Sequence, residues 1–118
     1  MLPKINRLSK REDFQKVYAK GTYASVGAVA VKFISSGQKY PARIGFSVGK
    51  NISKKAVERN RTRRVLREAI RVHVKSLKTG ADIIVMVKPK YINADSKLTV
   101  KDAAVSLQKI FEKNNLFI

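Results

Sequence analysis

Ten basic side chains fall between residues 50 and 75: Lys50, Lys54, Lys55, Arg59, Arg61, Arg63, Arg64, Arg67, Arg71 and Lys75. Only Glu58 and Glu68 oppose them, which leaves a net of +8 in that stretch. Arg predominates there, and a planar guanidinium can hold two phosphate oxygens and stack on a base, whereas an ammonium is a point charge. Taken singly, each side chain would be read as the solvated face of a helix. Their density argues for a contact surface, because like charges at helical spacing repel. A weaker second group, Lys4, Arg7, Lys10, Arg11, Lys16 and Lys20, is offset by Glu12 and Asp13.

Residues suited to breaking bonds are scarce. Hydrolysis of a phosphodiester by protein groups needs clustered carboxylates holding metal ions, or a His-containing acid/base pair. The one histidine, His73, falls on the apolar side of a helical pattern, where a structural role is expected. Glu12, Asp13, Glu58, Glu68, Asp82, Asp95, Asp102 and Glu112 are spread over different elements. Glu12 is expected to cap a helix, and Glu58 and Glu68 to pair with neighbouring Arg. No glycine-rich phosphate loop is present. Any reaction this chain serves must draw its chemistry largely from a partner. Phe14 and Tyr18, four residues apart within the second basic group, fit either a core or a platform on which single-stranded bases stack.

The elements that would position these groups follow from pattern. The chain has 118 residues, 44% of them hydrophobic, with a net charge of +18 and no Cys. One domain spanning residues 1–118 is expected, with no disulfide framework or Cys-ligated metal, and with a polyanion as partner. No run approaches the roughly 20 apolar residues of a membrane helix, and the polar, basic start lacks a secretory signature. The expectation is a cytoplasmic protein that binds no membrane.

Ser9-Lys-Arg-Glu12 has the form of a capping box, so Ser9 to Lys20 reads as a first helix closed by Gly21. Ala28 to Ser35 and Ala42 to Val48 read as strands joined in a hairpin across Ser36-Gly37, and Thr22 to Gly27 as a short extra strand. Ser53 is expected to cap a long helix reaching Leu77, with Gly80 as its stop. Ile83 to Pro89 reads as a buried strand, and Thr99 as the cap of a last helix. That helix should turn Val100, Ala103, Ala104, Leu107, Ile110 and Phe111 inward.

At about 100° per residue, Thr62, Val65, Leu66, Ala69, Ile70 and His73 share one side of the long helix. Asn60, Arg63, Arg64, Arg67 and Arg71 gather within an arc of roughly 100° on the other. Arg59 and Arg61 lie on the flanks, open between gripping separate backbone segments of a nucleic acid and snorkelling from the packed face.

The stretch Ser53-Lys-Lys-Ala-Val-Glu-Arg59-Asn60-Arg61-Thr-Arg63-Arg64-Val-Leu-Arg67-Glu68 resembles the Arg-Asn-Arg signature helix of the protein subunit of bacterial ribonuclease P. Glu12-Asp13-Phe14-Gln-Lys-Val17-Tyr18 with Gly21 is similar to that family's N-terminal motif, and Arg43-Ile-Gly45-Phe-Ser47-Val to the strand before its signature helix. The resemblance implies an α+β fold, an α/β two-layer sandwich of order α-β-β-β-α-β-α. It implies a four-stranded sheet and a left-handed β-α-β crossover, ribosomal protein S5 domain 2-like.

It also implies a non-catalytic subunit of a ribonucleoprotein endonuclease. An RNA using Mg2+, held mainly by that RNA, removes the 5′ leader of precursor tRNA, and the protein binds both the ribonuclease P RNA subunit and the precursor, with no protein partner required. RNA contacts are implied for Arg59, Asn60, Arg61, Arg63, Arg64 and Arg67, with Arg71, Lys50, Lys54 and Lys55 beside them. A leader cleft is implied at Phe14 and Tyr18, with Lys32 or Phe33 from the adjoining strand. Thr62 stands where the family generally has an aliphatic residue, and its hydroxyl is expected to bond back to the preceding helical turn. The competing reading is a structural, ribosome-associated RNA-binding protein; an autonomous nuclease is disfavoured by the scattered carboxylates.

Overall fold

The computed structural model describes residues 2–49, 54–88 and 98–118. Its elements are α1 (Arg11–Lys20), β1 (Thr22–Val26), β2 (Val29–Ser35), β3 (Arg43–Ser47), α2 (Ala56–Arg71), β4 (Ala81–Val87) and α3 (Val100–Lys113). This is the α-β-β-β-α-β-α order of an α+β fold around a four-stranded sheet, with strands arranged β1-β2-β4-β3.

β4 explains that arrangement. Its run Ala-Asp-Ile-Ile-Val-Met-Val is buried on both faces, as befits a central strand. It pairs antiparallel with β2 and parallel with β3. The expected β2–β3 hairpin is therefore corrected: β4 inserts between the two strands, and the tight hairpin is β1–β2. The connector from β2 to β3 crosses the start of β4 instead. There Ser36 N–H donates to Gly80 O at 2.9 Å, and Gly80 N–H to Tyr40 O at 2.8 Å. Gly80 has φ +78°, and a Cβ there would stand 2.6 Å from Gln38 O, so this crossing requires glycine.

One face of the sheet, through Val29, Val31, Ile83, Val85 and Ile44, packs on Leu66, Ala69 and Ile70 of α2 and Ala103, Leu107, Ile110 and Phe111 of α3. The opposite face carries a smaller cluster in which Leu8, Val17 and Ile84 pack with Phe14, Ile34 and Met86 beneath α1. Val100 is an exception to the inward pattern, exposed at the first turn of α3. Thr99 caps that helix as expected, its hydroxyl accepting from Asp102 N–H at 3.1 Å.

Two helix boundaries differ from expectation. α1 begins at Arg11 with Lys10 in the cap position and no side-chain cap bond, so neither Ser9 nor Glu12 caps it. α2 ends at Arg71, and Val74–Ser76 forms a separate 3-10 turn. Val74 and Leu77 are nevertheless buried, so the apolar pattern runs on past the helix that started it. Ser53 and Pro89 lie outside the described residues.

Gly45 fixes how closely α1 approaches. A Cβ on Gly45 would collide with the Phe14 ring at Cζ and lie 2.8 Å from its Cε1. Gly45→Ala is expected to displace that ring and lower Tm by about 5–10 °C, the scale of overpacking by one methyl group in a domain of this size. Thermal unfolding followed by circular dichroism measures it, and an unchanged Tm would show that Phe14 is not seated on Gly45.

Candidate RNA-binding surface

α2 divides as its sequence periodicity predicts. Leu66, Ala69 and Ile70 are buried, while Asn60, Arg61, Arg64 and Arg71 are exposed. Thr62 Oγ1 donates to Glu58 O at 2.8 Å, the expected back-bond. His73 is structural: its Nε2 lies 3.0 Å from Ala104 O and its ring meets Phe111 edge-on.

The basic side chains are not equivalent. Arg61 and Arg64 are exposed, with no hydrogen bond or ion pair among the described residues, and present whole guanidinium groups to solvent. Arg63 is half-buried and donates from Nη1 to Asn60 Oδ1 at 2.9 Å and from Nη2 to Val48 O at 2.8 Å, tying the helix to the end of β3. Arg67, also half-buried, leans on Arg63 O through Nε at 3.4 Å. Arg71 stands 3.6 Å from Glu68, an exposed pair that contributes little. Lys54 and Lys55 are exposed before the helix and Arg59 is half-buried; Lys50 lies outside the described residues.

Across the sheet, α1 and the neighbouring strands carry the side chains for which the resemblance implies a leader cleft. Phe14 is half-buried and Tyr18 is 40% exposed, with ring centres 6.4 Å apart. Lys32 Nζ donates to Tyr18 O at 2.7 Å, placing a cation at the C-terminal end of α1 where the helix dipole favours it, 6.0 Å from the Tyr18 ring. Strand alternation sends Phe33 to the opposite face, where it packs against the main core. Of the two, only Lys32 shares a surface with Phe14 and Tyr18, and the inclusion of Phe33 in the cleft is corrected on that ground.

Tyr23, 54% exposed, is the cross-strand partner of Lys32 and so projects from the same face. Sequence reading does not single it out, because the face Tyr23 shares with Lys32 is fixed only by the pairing of β1 with β2. The alternation of β1 against β2 is the signal that could have found it.

A further group holds α1 in place. Asp82, 3% exposed, receives Arg43 Nε at 2.8 Å and Nη2 at 2.9 Å, together with Tyr40 O–H at 3.1 Å. Arg43 Nη1 reaches Asp13 on α1 at 3.3 Å. The Arg43 pKa is raised above its ordinary value, first by the hydrogen bond to Asp82 and against the opposing effect of burial. The carboxylates are thus less scattered than their sequence positions suggest, but these two are bound to an arginine.

Among the described residues no group of three or more His, Asp or Glu could hold a metal ion. No helix among them is long and apolar enough to cross a membrane. Between the N-terminal segment, α1, β3 and α2 lies a cavity of about 350 Å³ bordered by Leu2, Ser9, Phe14, Phe46, Arg63 and Arg67, among others.

The exposed arginines of α2 thus lie across the sheet from the aromatic side chains of α1. A family model described as Ribonuclease P matches residues 2–113. The chain belongs to the ribonuclease P protein family. The ribonuclease P protein component of a Pseudanabaena species is 44% identical over 96 residues, covering 77% of this chain and 83% of that one. That of Bacillus velezensis is 34% identical over 116 residues, covering 98% and 95%. A solved mutant of the Staphylococcus aureus RNase P protein is 28% identical, with TM-score 0.78 over 97% of this chain and 92% of that one. The RNase P protein of Thermotoga maritima, at 24% identity and TM-score 0.76, shares the fold over 91% of this chain. As a ribonuclease P protein component, the chain is a subunit of a ribonucleoprotein endonuclease in tRNA processing.

Proposed function

We propose that this ribonuclease P protein docks on the catalytic RNA through the exposed side of α2 and holds the single-stranded 5′ leader of precursor tRNA in the cleft of Phe14, Tyr18, Lys32 and Tyr23. Arg61 and Arg64 carry the docking, with Arg59, Asn60, Arg67, Arg71, Lys54 and Lys55 beside them. The observation that carries this reading is the pair of exposed guanidiniums, Arg61 and Arg64, that bond to nothing among the described residues on the solvent side of α2. Guanidiniums without internal partners bind phosphates with no internal bond to break first.

Magnesium belongs, on this reading, to the RNA. The described residues supply no ligand cluster for it, and no role of the protein is routed through the ion. Cleavage is left to the RNA, and the protein contributes affinity and register. Lys32, held against the end of α1, places positive charge between two exposed tyrosines, a combination suited to a stacked, phosphate-linked strand.

Affinity with and without a leader tests the cleft. Tyr18→Ala is expected to weaken binding of the assembled enzyme to precursor tRNA about five- to tenfold, the lower range for removing the platform under one stacked base. Binding of mature tRNA should not change. Equal losses for both substrates would remove the cleft from leader recognition.

A further inference from the structure

Arg63 stands apart from the exposed arginines beside it. Arg61 and Arg64 bond to nothing among the described residues, whereas Arg63 is half-buried and turns both terminal nitrogens to the chain itself. Nη1 donates to Asn60 Oδ1 at 2.9 Å, and Nη2 donates to Val48 O at 2.8 Å. Val48 is buried in the main core, so Arg63 ties the helix surface to the sheet. Asn60, three residues earlier, is thereby placed relative to the sheet as well as to its own helix.

Hydrogen-bond chemistry then fixes which end of Asn60 faces outward. A guanidinium has donors only, so the carboxamide must offer it the oxygen. The Nδ2 amide keeps its N–H donors and has no partner among the described residues. An exposed Asn without such a neighbour can present either end, because its terminal torsion is broad and roughly two-fold. Held by its oxygen, Asn60 presents donors alone. These match a phosphate oxygen, a 2′-hydroxyl oxygen or a base carbonyl, and they do not match a base amino group. Arg64 lies one turn further along the same side, so the donors sit beside a free guanidinium.

We propose that Arg63 is a positioning residue for RNA docking. It grips Asn60 by the carboxamide oxygen, so that Asn60 donates from Nδ2 to an acceptor atom of the catalytic RNA, and it neutralises no phosphate itself. The inference rests on the docking reading above and deepens it.

Titrations of the catalytic RNA at several salt concentrations test it. Arg63→Met keeps the aliphatic stem and removes every donor. It should weaken binding about three- to tenfold, the scale of one hydrogen bond, with the slope of log K against log salt unchanged. A slope lower by about one would make Arg63 a phosphate ligand and overturn the proposal. Asn60→Ala should lose a similar factor, and the double variant no more than either alone, since both changes remove one contact. Losses that multiply, to about ten- to a hundredfold together, would show Arg63 acting independently of Asn60, as a mere support of α2 would, and would overturn it.

Asn60→Asp leaves Arg63 untouched. It keeps an oxygen for the guanidinium but lacks the N–H donors, and should bind no better than Asn60→Ala. Wild-type affinity for Asn60→Asp would contradict the proposal. Arg64→Ala separates this inference from the docking reading. If Arg64→Ala lowers affinity and slope while Arg63→Met and Asn60→Ala bind like wild type, the positioning role falls and the docking reading stands. If all three bind like wild type, both fall.

Discussion

Asp82→Ala is expected to lower stability by about 3 kcal/mol, because it strands the Arg43 guanidinium in a site built around a carboxylate. Asp82 is almost wholly buried and accepts three hydrogen bonds, two from Arg43 and one from Tyr40. Removing one partner of such a pair costs more than the pair contributes, since the survivor keeps its desolvation without its counter-charge. Arg43 retains a quarter of its side-chain exposure, which limits the loss. Against a total stability of about 5–15 kcal/mol for a domain, this is a large fraction. Asp13→Ala should cost far less, about 0.5–1 kcal/mol, because its separation from Arg43 is longer and both partners are partly solvated. Urea unfolding measures both variants. A loss below about 1 kcal/mol for Asp82→Ala would mean that Arg43 escapes to solvent and that the network does not anchor α1.

The second large effect is on RNA affinity. Replacing Arg61, Arg64 and Arg67 together by Ala should weaken binding to the catalytic RNA by about 10²–10³-fold at low salt. It should also reduce the slope of log K against log salt by about two to three, near one for each phosphate no longer neutralised. Arg61 and Arg64 bond to nothing among the described residues, so folding should be little affected by their replacement. Arg64→Ala alone should lower the slope by about one. Titrations at several salt concentrations decide it. An unchanged slope would place these guanidiniums in solvent and move the docking surface elsewhere.

The parts legible in the sequence were those set by local periodicity. The two sides of α2, the Thr62 back-bond, the structural His73 and the Thr99 cap all depend on residues within a turn or two of one another. The β2–β3 pairing was misread because a strand finds its partner by burial rather than by nearness in the chain, and β4, more than 30 residues beyond β3, is the most buried strand. The end of α2 was misplaced because Val74 and Leu77 extend the apolar pattern from a 3-10 turn. In β2, alternation separated Lys32 from Phe33 but could not say which face α1 covers. The junction of Asp13, Tyr40, Arg43 and Asp82 joins four segments and left no trace in spacing. The same is true of the cavity, which Arg7, Phe14, Phe46 and Arg67 border from four separate segments of the chain.

The division of labour is the central claim: the protein binds and positions, and the RNA cleaves. Its most direct test is 5′ maturation of precursor tRNA at low magnesium, with protein alone, RNA subunit alone and both together. The expected result is no cleavage by the protein alone, weak cleavage by the RNA alone, and strong cleavage by the two combined. Cleavage by the protein alone, or a combination no better than the RNA by itself, would contradict it.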